Sequence, residues 1–324
     1  MLIFLTHANH LYADRKQVRK MQPYPPLQTL IAAALLRRDG HSVVFHDSTF
    51  DRDAVLALTQ TKPDLAVVIE DNFNFLTKMC LESNRTLAFE FAEGAKALGI
   101  PAVINSSDAT GDPQAYLSAG FSAVLQGEVE ETLLDLCRKW PEPVPGTFGM
   151  PSRAAIHDLD ALPIPAWDLV DVEKYRSAWR QAHGYFSVNL ATSRGCPYRC
   201  NWCAKPIHGD TYRAQSPGRV VAEMECVQDL LRPDHIWFAD DIFGLSGKWV
   251  REFAARVEQA GLKTPFKIQS RADLMTRDAV AALAAAGCTD VWMGAESGSQ
   301  QVLDRMQKGV TVPQVLQACD HLRT

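Results

Sequence analysis

Val188-Asn189-Leu190-Ala191-Thr192-Ser193-Arg194-Gly195-Cys196-Pro197-Tyr198-Arg199-Cys200-Asn201-Trp202-Cys203 carries a short apolar strand straight into three cysteines. The spacing is CxxxCxxC. Three thiolates on one loop can hold three corners of a cubane iron–sulfur cluster and leave the fourth iron without a protein ligand. An ordinary electron-transfer cluster is closed by four cysteines, so a missing fourth ligand points to a site that binds substrate or cofactor directly. A structural zinc site usually takes four ligands as two separated pairs, and His208, five residues after Cys203, is available as a fourth. A disulfide would leave one thiol over, and nothing here suggests an oxidising compartment.

The strand 188–192 is the first of four similar units. Helical patterns at 218–231, 248–260, 277–286, 300–306 and 313–322 follow or separate strands at 235–239, 266–269 and 290–293. Four βα units wound the same way imply a barrel or partial barrel of the TIM type, whose active sites sit at the C-terminal ends of the strands. Those ends read as the cysteine loop, Ala239-Asp240-Asp241, Gln269-Ser270-Arg271 and Gly294-Ala295-Glu296-Ser297-Gly298. A single charge there is most often a solvated loop residue. One charged or metal-binding cluster at each of four equivalent positions is not explained by packing.

Upstream, residues 1–140 also alternate. Strands at 2–5, 42–45, 65–69, 102–104 and 122–125 are separated by helical patterns at 27–38, 54–61, 76–98, 113–119 and 130–140. Continuous apolar strands between helices imply a parallel sheet covered on both faces, here of the flavodoxin-like (Rossmann-like) α/β kind, with ligands beyond the strand C-termini. That rim carries Thr6-His7, Asp47-Ser48, Glu70-Asp71-Asn72, Asn105-Ser106-Ser107-Asp108 and Gln126-Gly127-Glu128. Six prolines between Pro141 and Pro165 mark an extended connector, followed by Trp167, Tyr175 and Trp179 on a short helix docked against one domain. The expected organisation is a first domain over 1–140, a proline-rich linker over 141–184 and a second domain over 185–324.

The 324 residues carry a formal charge of −5, which offers no overall basic face for nucleic acid. No stretch approaches the ~20 apolar residues of a membrane span, and the N-terminus lacks a signal-peptide pattern. A cytoplasmic protein with reduced thiols is expected. The remaining cysteines, Cys80, Cys137, Cys226, Cys288 and Cys319, read as small buried hydrophobes.

With these residues in view, the chain resembles the radical S-adenosylmethionine (SAM) enzymes, in the class with an N-terminal cobalamin-binding domain. The motif Cys196-x-x-x-Cys200-x-x-Cys203 with Trp202, the runs Phe238-Ala239-Asp240-Asp241-Ile242-Phe243 and Ser270-Arg271-Ala272-Asp273, and Gly294-Ala295-Glu296-Ser297-Gly298-Ser299-Gln300 carry the likeness. Pro25-Pro26-Leu27, Gly40-His41-Ser42-Val43 and Gly127-Glu128-Val129-Glu130 extend it to the first half.

The resemblance implies a 4Fe-4S cluster on the three cysteines, with S-adenosylmethionine chelating the open iron. Reductive cleavage would give methionine and a 5′-deoxyadenosyl radical. It further implies Trp202 near the adenine, Asp240 and Asp241 near the methionine end, Ser270 beside Arg271, Arg271 on the carboxylate, and Glu296 on ribose hydroxyls or the amino group. Cobalamin is implied in the first domain, near His7, Asn105, Ser106, Ser107, Gly127 and Glu128. The DxHxxG motif that supplies a histidine to cobalt elsewhere is absent, so the cobalt's lower face would lack a histidine.

The family's barrel has six βα units, and the chain ends after the fourth, which is expected either of a piece of a longer protein, the favoured reading, or of a truncated product with impaired function. The implied partners are a small-molecule substrate and an electron donor such as flavodoxin or ferredoxin. The implied activity is methyl transfer to an unactivated carbon or phosphorus. The alternatives are an oxidative cyclase of the tetrapyrrole type and a non-catalytic cobalamin- or cluster-binding fragment. A transfer-RNA methylthiotransferase fits less well, because it would need further cluster cysteines where only Cys80 and Cys137 stand.

Overall fold

The computed structural model describes residues 1–73, 82–205 and 207–323, which form two compact units, one over 1–156 and 161–184, the other over 157–160 and 185–324. In the first unit five parallel strands, β1 (Leu2–Thr6), β2 (Ser42–Phe45), β3 (Leu65–Ile69), β4 (Ala102–Asn105) and β5 (Ala123–Val124), lie in the order β2-β1-β3-β4-β5. Alternation along the strands separates two cores. Ile3, Leu5, Val67, Ile69 and Val103 pack with Ala32, Leu36 and Leu133 on one face. Phe4, Ala66, Val68 and Ile104 pack with Leu58, Ala88 and Phe91 on the other. A sheet buried on both faces needs apolar residues at every strand position, which is why these strands read as unbroken apolar runs.

Helices Leu27–Arg38, Ala54–Thr61 and Pro113–Ala119 have the bounds the periodicity predicts. Of the pattern at 76–98, the structure describes Glu82–Ala97; the start of that pattern and Cys80 lie outside the described residues. Two short helices, Arg15–Lys20 and Ser107–Gly111, were not legible in the sequence pattern.

The stretch 141–184 is divided between the units, 141–156 and 161–184 lying in the first and 157–160 in the second. Residues 161–184 fold with the first unit, because helix Val172–His183 is bonded to it: Trp179 Nε1 donates to Pro23 O at 2.6 Å, and Tyr175 Oη donates to Asp47 Oδ2 at 2.8 Å. Residues 157–160 belong instead to the second unit, where Asp160 accepts Ser216 N at 2.9 Å.

The second unit is an open parallel sheet of β6 (Ser187–Leu190), β9 (His235–Phe238), β10 (Phe266–Ser270) and β11 (Cys288–Met293), in the order β11-β10-β9-β6. A two-residue antiparallel pair, β7 (Ser193–Arg194) and β8 (Arg213–Ala214), closes the cysteine loop. The four expected βα units are present, and among the described residues they form no closed barrel. Helices Pro217–Leu230, Gly247–Gln259 and Arg277–Ala285 connect the strands. An aromatic core of Phe238, Phe243, Phe253 and Phe266, with ring centroids 5.0–6.4 Å apart, binds the sheet to the helix Gly247–Gln259. Parallel order brings all four strand C-termini to one end.

Candidate cofactor site

The cysteine loop begins in a tethered segment. Asp240, 1 % exposed at the end of β9, accepts from Thr192 N (2.9 Å), Thr192 Oγ1 (3.0 Å) and Ser193 Oγ (2.5 Å) on Oδ1. Its Oδ2 is buried with no hydrogen-bond partner. Burial pushes this carboxyl up to about 6, against those hydrogen bonds. Gly195 follows at φ +76°, and a Cβ there would stand 2.3 Å from Thr211 O and 2.9 Å from His208 O. Only glycine meets both conditions.

Beyond it Lys205 Nζ donates to Cys196 O and Tyr198 O, both at 2.7 Å. Cys196 and Cys200 are half-buried and Cys203 is exposed. Burial pushes the Cys196 and Cys203 thiols up, and Asp241 and the sibling thiols push the same way. Thiolates at Cys196 and Cys203 are therefore favoured only when a cation stands beside them. Among the described residues no group of three His, Cys, Asp or Glu side chains is gathered as for a single ion.

The other strand ends divide into exposed and committed residues. Asp241 and Trp202 are exposed, and the Glu296 side chain is 22 % exposed. Glu296 sits in left-handed backbone at φ 59° and accepts from Lys308 Nζ at 2.8 Å. Lys308, 7 % exposed, also stands 6.0 Å over the Trp202 ring. Ser270 and Arg271 are buried. Ser270 Oγ points to Phe243 O at 3.4 Å. Arg271 donates through Nε to Asp273 Oδ1 (2.9 Å) and through Nη2 to Lys308 O (2.9 Å), with its guanidinium 3.4 Å from the centre of the Tyr198 ring.

In the first unit the sequence-selected residues bind one another. His7 pairs with Asp47 at 3.1 Å. Asn105 Nδ2 donates to Leu125 O and Gly127 O, and its Oδ1 accepts from Asn72. Ser106 caps the helix Ser107–Gly111, Ser107 Oγ donates to Asn72 Oδ1, and Glu128 accepts Ile156 N at 2.6 Å. Gly127, at φ +68°, has open space where a Cβ would stand. These side chains are thus engaged with one another and with backbone, and the His7 imidazole is paired with Asp47.

Residues that sequence reasoning missed are Thr192, Ser193, Tyr198, Asn201, Lys205 and Lys308. Each acts through a partner distant in sequence or through backbone, so no local motif marks them.

Residues 190–324 match the family model of the radical SAM superfamily. An uncharacterized methyltransferase of Pyrococcus horikoshii is 31 % identical over 213 residues, covering 61 % of this chain and 45 % of its own. The anaerobic magnesium-protoporphyrin IX monomethyl ester cyclase of Rubrivivax gelatinosus is 23 % identical over 330 residues, covering 93 % and 57 %. The cobalamin-dependent S-adenosylmethionine radical enzyme OxsB, solved with aqua-cobalamin and S-adenosylmethionine bound, shares the fold at a TM-score of 0.77, with 20 % identity over 99 % of this chain and 47 % of that one. The chain spans about half the length of the curated relatives it matches.

Proposed function

Because residues 190–324 are a radical SAM domain, we propose that this chain is the cofactor-binding portion of a cobalamin-dependent radical SAM enzyme that methylates an unactivated carbon or phosphorus of a small molecule. The observation that carries the reading is the loop itself: three thiols within one short stretch, Cys196 to Cys203, a Gly195 backbone that tolerates no side chain, and a buried Asp240 tether. When bound, the cluster would supply the electron that splits S-adenosylmethionine into methionine and a 5′-deoxyadenosyl radical, and cobalamin would supply the methyl group.

The chain's own residues would hold and orient. Cys196, Cys200 and Cys203 would ligate three irons, and Lys205 keeps their loop folded through Cys196 O and Tyr198 O. Trp202 offers the adenine an exposed indole face, while Asp241 and Glu296 offer carboxylates to the amino and ribose groups. Asp240 holds the start of the loop through Thr192 and Ser193. In the first unit the rim loops 105–108 and 126–128 would meet cobalamin through backbone and the open approach at Gly127. An electron donor of the flavodoxin or ferredoxin kind belongs to the same proposal.

The test is anaerobic reconstitution with iron and sulfide, then reduction with S-adenosylmethionine present. 5′-Deoxyadenosine is the expected product, and its absence despite a bound cluster sinks the catalytic reading. Cys200→Ala should lose both cluster absorbance and cleavage. Titration with hydroxocobalamin checks the first unit separately through the corrin absorbance. A second reading, oxidative ring formation, is favoured by the alignment with the Rubrivivax cyclase along 93 % of the chain. A methylated product against a dehydrogenated one separates the two.

A further inference from the structure

The cysteine loop is held by two different bodies. Its first half is fixed from below: Lys205 takes Cys196 O and Tyr198 O, and Cys196 N donates to Gly209 O at 3.3 Å. Its second half is fixed from the turn 305–309, which follows the short helix Gln300–Arg305 after β11. A helix end leaves its last carbonyls without partners. Here Asn201 supplies them, donating through its backbone N–H to Met306 O at 3.1 Å and through Nδ2 to Arg305 O at 2.7 Å. Left-handed backbone at Gln307 and Gly309 turns the chain so that these carbonyls face the loop.

From the same turn Lys308 sends its ammonium toward Trp202 and its carbonyl to Arg271 Nη2. Arg271, 4 % exposed, lays its guanidinium 3.4 Å from the Tyr198 ring and spends Nε on Asp273. Tyr198, Asn201 and Trp202 are thus all tied to one turn, and Cys200 lies between the tied residues.

We infer that Arg271 and the turn 305–309 form a clasp that sets the position of the Tyr198–Asn201–Trp202 half of the loop. Arg271 is then a positioning residue rather than a ligand of the methionine carboxylate. The inference rests on reading the loop as a cluster site, but the clasp is a property of the polypeptide alone. Its planar fork is what lets Arg271 stack on a ring and bond a carbonyl at once; a lysine ammonium at the same place cannot do both.

The test uses the whole purified chain, reduced, anaerobic and free of metal. The alkylation rate of each cysteine by a maleimide is read by peptide mass spectrometry. In Arg271→Met and in Arg271→Lys, Cys200 should react about tenfold faster, the factor that one lost charged hydrogen bond or stacked cation is worth. Cys196, held by the other body, should keep its wild-type rate. Asn201→Ala, at an exposed position that does not endanger the core, should act in the same direction.

An unchanged ratio of Cys200 to Cys196 reactivity in all three variants overturns the clasp. So does a rise of both thiols together, which would mean general loosening. If Arg271→Met leaves the ratio alone and only weakens S-adenosylmethionine binding to the reconstituted protein in calorimetry, Arg271 is a ligand and the inference fails. A wild-type chain that takes up no cluster would count against the proposed function, and the thiol ratio would still decide the clasp.

Discussion

Asp240 and Gly195 show how much a single residue can decide here. The Asp240 carboxyl titrates at about 6 in the folded chain against an ordinary 3.8, so folding favours its protonated form. That contribution is complete below the unfolded value and is lost as pH rises through about 6. A shift of two units corresponds to on the order of 3 kcal/mol. Asp240→Asn keeps an oxygen for Thr192 and Ser193, and should flatten the fall in urea-unfolding stability between pH 4.5 and 7 by about 2 kcal/mol relative to the wild type; an unchanged pH slope would contradict the burial argument. Gly195→Ala, forced against Thr211 O, should abolish iron uptake while the near-ultraviolet signal of the first unit persists. The three-cysteine motif was legible in the sequence because spacing within eight residues is a local pattern. Asp240's partners lie 48 positions away, and no local pattern records them; the residue was legible, its tether was not.

Elements were legible where their periodicity was long. The buried strands and the helices Leu27–Arg38 and Ala54–Thr61 announce themselves through runs of apolar residues. The pair β7–β8 does not, because two residues per strand, Ser193 and Arg194 opposite Ala214 and Arg213, carry no period. Helix Val172–His183 is an intermediate case. Its amphipathic pattern was readable, but its partner in the first unit depends on Pro23, Asp47 and Thr49. Trp179→Phe, which strands Pro23 O in a buried site, should cost about 1–3 kcal/mol of first-unit stability, read as a lowered urea midpoint. A change within 0.3 kcal/mol would mean that the helix is held by packing alone.

On the scale of the whole molecule, β11 is the outer strand beside β10 among the described residues, with Trp292 57 % exposed beside Lys267. An exposed apolar edge invites pairing with another chain. Trp292→Lys should therefore lower concentration-dependent association in sedimentation velocity; equal association of both proteins would locate the contact elsewhere. The same sheet has a consequence for how the protein is made. Asn201 and the carbonyl that receives it are 104 positions apart, so a chain growing from its N-terminus presents its three thiols well before the turn that fastens them has been synthesised. Until then the thiols sit on a half-anchored loop, open to oxidation and to stray metals. Under the proposed function, a cluster inserted before the turn 305–309 has folded would sit on a loop fastened only at its Cys196 side.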